Sequence, residues 1–190
     1  MDEICKRKVI LVTDGDMVAR KAVEKAAENI GGRCISRSAG NPTPLSGKEI
    51  IKLIKEAKYD PVVVMVDDRG HTGQGKGEQA IVEIKRCADI QVIGAIAVAS
   101  NTEGVEGVPV DMSITKYGNI IEGTVDKCGD KIAGKKLNGD TVDILNSMDI
   151  PLIVGIGDPG KMGGRDDCED GAPIITKAME EIIKRSSSIC

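Results

Sequence analysis

The sequence predicts a three-layer α/β/α sandwich built on a mainly parallel, Rossmann-like sheet with a small β-hairpin insert. Short apolar runs without polar alternation, which are typical of strands buried on both faces, recur at 9–12, 62–66, 90–99 and 151–158. Stretches with apolar residues at helical spacing follow most of these runs. This β-α alternation indicates parallel strands covered by helices on both faces of the sheet.

Length and composition favour one globular domain over residues 1–190, with the hairpin insert at about 103–137. Hydrophobic residues make up 41% of the chain and charged residues 29%, which excludes a disordered chain. The only aromatic residues are Tyr59 and Tyr117, and the net charge is -4. Because nucleic-acid modules stack bases on aromatic rings and attract phosphates with basic surfaces, nucleic acid is not expected as a partner.

The cysteines and the N-terminus predict a soluble chain with reduced thiols. The six cysteines form no Cys-x-x-Cys pair, and the single His71 offers no second nitrogen ligand, so zinc is not predicted. The first eight residues are too polar for a signal peptide. No apolar run reaches the roughly 20 residues that span a bilayer.

The first predicted unit is a strand that ends in acidic residues and leads directly into a helix. The run 9–12 stops at Thr13, and helical spacing of apolar residues then continues to Ile30. Asp16 is the predicted N-cap, because its carboxylate can accept an amide of the first helical turn. Open α/β sheets bind ligands at the carboxyl ends of their strands, which makes Asp14 and Asp16 candidate ligand residues. Alternatively, Asp16 only caps the helix and Asp14 only shapes the turn.

The remaining elements follow in order. Ser46 and Glu49 form a predicted capping box at the start of the second helix. The other predicted elements are a short strand at 33–36, strands at 62–66 and 90–99, a helix at about 78–87, a hairpin of 110–114 and 120–125 with one face exposed to water, a short helix at 140–148, a strand at 151–158, and a helix beginning near Pro173.

Acidic residues follow several of the predicted parallel strands and should therefore meet at one edge of the sheet. These residues are Asp14, Asp16, Asp67, Asp68 and Asp158. Carboxylates held close together raise one another's pKa or recruit a cation, and oxygen ligands favour Mg²⁺ or Ca²⁺. The alternative is that these residues only cap helices and end strands. The identity of any metal stays open.

Two motifs come close to known patterns and depart from them. Residues 70–77 match G-x-x-x-x-G-K after a strand, but Gly77 stands where Ser or Thr would hold Mg²⁺. Backbone amides near Gly73, Gly75, Lys76 and Gly77 could still cradle an anion. The Asp14-Gly15-Asp16 sequence resembles the Asp-x-Asp element of Toprim metal sites. That family also needs a glutamate on an earlier strand, and only Glu3 precedes this one.

Lys161 and Arg165 follow Asp158 in a charged loop. One interpretation is a loop that is partly paired within itself. The other is an anion or partner contact beside the strand ends, since Arg binds carboxylates bidentately.

Long runs of the chain resemble the stage V sporulation protein AE family, in its soluble SpoVAEA-type form. They cover nearly the whole chain in order: VILVTDGD at 9–16, GGRCISRSAGNPTPLSGKEI at 31–50, YDPVVVMVDDRGHTGQGKGEQA at 59–80, IGAIAVASNT at 93–102, NGDTVDILNSMDIPLIVGIGDPGKMGGRDD at 138–167 and GAPIITKA at 171–178.

The resemblance implies a component of the SpoVA apparatus, which moves dipicolinic acid with Ca²⁺ into the developing spore and releases it at germination. It implies a spore or forespore protein that is peripheral at the inner spore membrane. The implied partners are the integral channel subunits and the SpoVAD-type dipicolinate binder, with dipicolinic acid as a candidate ligand. The family carries no assigned active site, so no catalytic residue is transferred.

Two classes of function are therefore expected. The first is a non-enzymatic accessory subunit that requires no cofactor and acts by binding. The second is a Mg-dependent, Toprim-like or P-loop-like enzyme of phosphoryl transfer or hydrolysis that uses the acidic strand ends. Lys76, Lys161 or Arg165 could in addition contact the carboxylates of dipicolinate.

Overall fold

The computed structural model describes residues 6–69 and 75–187, and it confirms the α/β fold. The helices are α1 (Met17–Asn29), α2 (Gly47–Glu56), α3 (Lys76–Arg86) and α4 (Pro173–Ser186). The strands are β1 (Arg7–Val12), β2 (Arg33–Cys34), β3 (Val62–Met65), β4 (Ile90–Val98), β5 (Val108–Pro109), β6 (Met112–Ile114), β7 (Ile120–Ile121), β8 (Thr124–Val125), β9 (Lys131–Ile132), β10 (Lys136–Leu137) and β11 (Ile153–Ile156).

Seven strands form the main sheet in the order β2-β3-β1-β4-β11-β6-β7. All neighbours in it pair in parallel except β7, which runs antiparallel to β6. The carboxyl ends of six strands therefore share one edge. After β1 the chain forms β2 and β3, which lie on one side of β1. After β4 it forms β6 and β11, which lie on the opposite side, so the direction in which strands are added reverses between β1 and β4. A crevice at such a reversal is where open α/β sheets bind ligands.

The strand order differs from the usual Rossmann order. With the parallel strands numbered along the chain, the usual order is 3-2-1-4-5-6. Here it is 2-3-1-4-6-5, because β3 lies between β2 and β1, and β11 lies between β4 and β6. The layered α/β architecture is thus as predicted, while the strand order does not confirm a Rossmann-like sheet.

Helices cover both faces of the sheet, and alternate strand residues face opposite layers. Ile10, Val12, Val63, Met65, Val154 and Ile156 pack with α1 and α4. Val9, Leu11, Val62, Val64, Val66 and Ile153 pack with α2 and α3. The first layer has helix–helix contacts between α1 and α4, and the second between α2 and α3.

A β-bulge in β4 changes which of its residues face each layer. Val9 pairs with Val92, but Ile10 pairs with Gly94, so Ile93 of β4 has no partner in β1. A Cβ on Gly94 would lie 2.6 Å from Ile182 of α4. Only glycine therefore lets α4 approach β4 this closely. Beyond the bulge, Ile96 and Val98 face α1 and α4.

The predicted hairpin exists, but its prediction was wrong in two respects. Strand β6 belongs to the main sheet and is buried along its whole length, because it pairs with β11 as well as with β7. Its polar residue Ser113 is satisfied in the interior by donating to the carbonyl of Gly123 at 2.8 Å. The predicted strand 120–125 is two short strands, and β8 pairs with β9 in a small separate sheet.

Two segments form 3₁₀ helices where the sequence suggested other structure. Ser36–Ser38 follows β2, which ends two residues earlier than predicted. Asp143–Ser147 replaces the predicted helix 140–148. Val142, Leu145 and Met148 are spaced by three residues, the repeat that a 3₁₀ helix places on one face.

Candidate functional site

A polar crevice of about 190 Å³ opens at the carboxyl edge of the main sheet. It lies between the segments that follow β1, β3, β4 and β11. Its lining includes five carboxylates: Asp14, Asp16, Asp67, Asp140 and Asp158. Four of the five predicted strand-end acids thus lie around one cavity, and Asp140 is an addition to them.

The alternation of strand residues explains why these acids meet. Asp14, Asp67 and Asp158 each follow by two positions a residue that faces α1 and α4, namely Val12, Met65 and Ile156. Each acid continues the phase of its strand into the loop beyond it. The carboxylates of three separate strands therefore emerge on the same side of the sheet.

Asp14, Asp16 and Asp158 form the tightest part of the crevice. One carboxylate oxygen from each lies within 4.8 Å of the others. Burial, followed by the neighbouring charge of Asp16, raises the pKa of Asp14 to about 7. The Asp16 amide opposes this shift by donating to Asp14 Oδ1 at 3.2 Å. Burial and the charge of Asp16 also raise the pKa of Asp158.

Asp16 is also the N-cap of α1, as predicted. Its Oδ1 accepts the amides of Val18 and Ala19, each at 2.8 Å. Capping uses that one oxygen, and a carboxylate has further lone pairs that can bind a cation. Asp158 is similar, since its Oδ1 accepts the Gly160 amide at 2.7 Å. Capping and cation binding are compatible at these residues.

Asp67 and Asp140 are hydrogen-bonded to each other on the other side of the crevice. Asp67 is 4% exposed. Burial, opposed by the Arg69 amide and reinforced by Asp140, raises the pKa of Asp67 to about 7. Two carboxyl groups can share a hydrogen bond only when one of them carries a proton. Loss of that proton would leave two like charges in contact, and a cation would relieve their repulsion.

Asp68 lies outside the crevice and occupies the start of α3. Its Oδ1 accepts the Gly77 amide at 2.6 Å and its Oδ2 accepts the Glu78 amide at 2.9 Å. A Cβ on Gly75 would lie 2.2 Å from Asp68 Oδ1, so this close approach requires glycine. Of the amides predicted to cradle an outside anion, the Gly77 amide thus already binds an internal carboxylate. Of the other predicted loop residues, Lys76 is the first residue of α3, and Gly73 lies outside the described residues.

The predicted basic residues divide between two places. Lys161 lies close enough to Asp158 to oppose the rise in its pKa. Arg165 lies over the exposed ring of Tyr117, with 4.8 Å between Arg165 Cζ and the ring centroid. The neighbouring Asp166 is fully buried and accepts the amides of Ile174 and Ile175 at the start of α4. The interpretation of this loop as partly self-paired thus misses a buried helix cap.

Sequence reasoning missed Asp140 because it does not follow an apolar strand. A Cβ on Gly139 would lie 2.2 Å from the Val98 carbonyl, so glycine allows this segment to reach the end of β4. The Asp140 amide then donates to Ser100 Oγ at 3.1 Å. The available signal was the Gly139-Asp140 pair, since glycine before a polar residue often marks a close backbone approach.

These features define a class of protein: an α/β sandwich with a carboxylate-lined crevice at the carboxyl ends of its strands. A family model described as stage V sporulation protein AE1 matches residues 8–186. The chain therefore belongs to the stage V sporulation protein AE family, as the resemblance predicted, and has a sporulation-related role. Neither the curated proteins nor the solved structures include a match. Among the described residues, α4 and the other helices are too short or too polar to cross a bilayer.

Proposed function

We propose that this chain is an accessory subunit of the SpoVA apparatus that acts by binding and not by catalysis. In this proposal it assists the uptake of Ca²⁺ with dipicolinic acid during sporulation and their release at germination. It sits in the spore or forespore, peripheral at the inner spore membrane. Its partners there are the integral channel subunits and the SpoVAD-type dipicolinate binder. The family match over residues 8–186 carries the proposal.

The crevice supplies a physical role for such a subunit. Its donors are carboxylate oxygens, which Ca²⁺ and Mg²⁺ both accept, and Ca²⁺ tolerates irregular geometry better. Asp14 and Asp67 have pKa values of about 7, so a cation can displace their protons near neutral pH. We propose that the crevice binds the cation of the Ca²⁺–dipicolinate pair weakly and releases it readily. Lys161, beside Asp158, is placed to contact a carboxylate of the bound anion.

Fractionation of spore membranes tests the assembly part of the proposal. A tagged chain, produced at its natural level in sporulating cells, should sediment with the inner membrane and recover SpoVA subunits on affinity capture. The same tagged chain in cells lacking the integral SpoVA subunits is the control, and it should leave the membrane fraction. Equal behaviour in the two strains would contradict the proposal.

Calorimetry tests the cation part separately. Ca²⁺ should bind the purified protein at pH 7.5 with release of protons, which appears as a dependence of the heat on buffer ionisation. The double variant Asp14→Asn/Asp158→Asn should lose this binding, because it removes two of the three clustered carboxylates. Asp170→Asn, at an exposed acid outside the crevice, is the matched control and should bind as the wild type does.

A second candidate is a Mg-dependent enzyme of phosphoryl transfer or hydrolysis, of Toprim-like or P-loop-like type. The grouping of Asp14, Asp16 and Asp158 within 4.8 Å favours it, because such enzymes hold Mg²⁺ through clustered carboxylates. The start of α3 counts against a P-loop mechanism, since Asp68 occupies its amides. Hydrolysis of p-nitrophenyl phosphate or ATP that requires Mg²⁺, persists in Asp170→Asn and is abolished in Asp14→Asn would favour the enzyme.

A further inference from the structure

A second cavity lies away from the crevice, along the free side of β2. We call it the edge groove and define it by residues 33–37, 53 and 56–59. Its volume is about 440 Å³, within the range of small-molecule sites. Strand β2 pairs only with β3, so the groove borders the open end of the main sheet.

The inner part of the edge groove is apolar, with one exposed aromatic ring beside it. Cys34 and Ile35 of the strand segment are 6% and 7% exposed, and Leu53 and Ala57 of the helix side are partly buried. Tyr59 is 59% exposed and is one of only two aromatic residues in the chain. An exposed ring beside an apolar floor is a surface on which another ring can stack.

The border of the edge groove is cationic, although the whole chain carries a net charge of -4. Arg33, Arg37 and Lys58 line it, against a single carboxylate, Glu56. Glu56 pairs with Lys52 on the exposed side of α2, at 4.0 Å. Within the described part of the chain, the three cations form no ion pair and no side-chain hydrogen bond. The charge of Arg33 lowers the pKa of Glu24 and that of Arg37 lowers the pKa of Glu49, but the N–H groups of both guanidinium groups remain open to an anionic ligand.

Glu24, an acid on the other side of β2, is already engaged. Arg20 Nε lies 2.9 Å from Glu24 Oε1, and the Ser36 hydroxyl is hydrogen-bonded to Glu24 as well. Both contacts lower the pKa of Glu24, although burial opposes them. Arg33 also lowers the pKa of Glu24, but less than Arg20 does, so Glu24 offsets only part of the positive charge of the groove border.

From this combination we infer that the edge groove binds a small carboxylate with an aromatic or similarly apolar body. The apolar floor and Tyr59 accommodate the body, while Arg33 and Arg37 pair with the carboxylates, for which the guanidinium fork is well shaped. This site is distinct from the acidic crevice and needs no metal. Pyridine-2,6-dicarboxylate belongs to the ligand class, so for that ligand the inference deepens the proposed function and rests on it.

Titration calorimetry in metal-free buffer tests the inference with three probes. Benzene-1,3-dicarboxylate and pyridine-2,6-dicarboxylate should both bind, because ring and carboxylates are common to them. Glutarate has two carboxylates and no ring, and it should bind at least about tenfold more weakly. The double variant Arg33→Gln/Arg37→Gln should bind the aromatic probes about tenfold more weakly than the wild type, as expected for two exposed charge pairs. Lys131→Gln, at an exposed lysine of β9, is the matched control and should bind as the wild type does.

Several results would overturn the inference, and they differ from failure of the proposed function. Binding that requires Ca²⁺ and disappears in Asp14→Asn/Asp158→Asn, while the arginine variant is unaffected, would assign the ligand to the acidic crevice. Equal binding of glutarate would remove the role of the ring. A dimer that dissociates in the arginine variant, with no probe bound, would assign the groove to a second copy of the chain. Circular dichroism of each variant excludes loss of fold as the cause.

Discussion

Replacing Asp14 by asparagine should change the pH dependence of stability in a defined direction. Burial and neighbouring acids raise the pKa of Asp14 from 3.8 to about 7 in the folded protein. The folded state therefore holds the Asp14 proton more tightly than the unfolded state does. This contribution to stability is fully present below about pH 4, is lost as the pH rises toward 7, and stays lost above it.

The size of the effect follows from the same shift. A pKa shift of this size corresponds to about 4 kcal/mol, since each pKa unit is worth about 1.4 kcal/mol. Asp14 is partly exposed and its crevice admits water, so we expect about half of this, roughly 2 kcal/mol. Asparagine keeps the Oδ1 that accepts the Asp16 amide but cannot ionise. The free energy of unfolding of Asp14→Asn, relative to the wild type, should increase by this amount between pH 4 and pH 8.

Urea unfolding followed by circular dichroism at both pH values measures this difference. Asp170→Asn, which removes an exposed carboxylate, should change stability equally at pH 4 and pH 8. If the free energy of unfolding of Asp14→Asn also differs from that of the wild type by the same amount at both pH values, the crevice does not destabilise the ionised Asp14 carboxylate. The argument for proton and cation exchange there would then fail.

Substitutions at three further positions test other parts of the structure. Asp166→Ala should lower the free energy of unfolding by about 2 kcal/mol, because two buried amides of α4 lose their acceptor, and Asp166→Asn should recover part of the loss; urea unfolding measures both. Gly77→Ala should cost about 1–3 kcal/mol in the same assay, because the new methyl group would lie 2.9 Å from the Asp67 carbonyl. Asp68→Ala should speed hydrogen exchange at the Gly77 and Glu78 amides, measured by NMR, while the amides of α1 keep their protection.

Much of the fold followed from local patterns. Val9–Val12 and the other apolar runs predicted the parallel strands, and Asp16 and the Ser46–Glu49 capping box predicted two helix starts that the structure confirms. The strands and helix starts depend only on neighbours in the sequence, which is why a single chain reveals them. The meeting of Asp14, Asp67 and Asp158 followed from one added assumption, that the strands are parallel and so end at the same edge of the sheet.

Relations between distant segments were not predictable in this way. The strand order depends on how whole β-α units pack, and the sequence of one chain does not encode it locally. The bulge between Val92 and Gly94 reverses the phase of β4, so that Ile96 and Val98 face α1 and α4 whereas Val92 faces the other layer. Asp140 enters from a segment far along the chain and without strand periodicity. The crevice is completed by these contacts between distant segments, which the sequence did not predict.

The carboxylate at the start of α3 has a consequence for how this protein responds to small molecules. In nucleotide-binding loops, the ligand's phosphate supplies the partner for the helix amides, so local order depends on occupancy. Here Asp68 supplies that partner permanently. The amides of Gly77 and Glu78 are thus paired whether or not a ligand is present, so this part of the first turn of α3 needs no ligand to complete its hydrogen bonds.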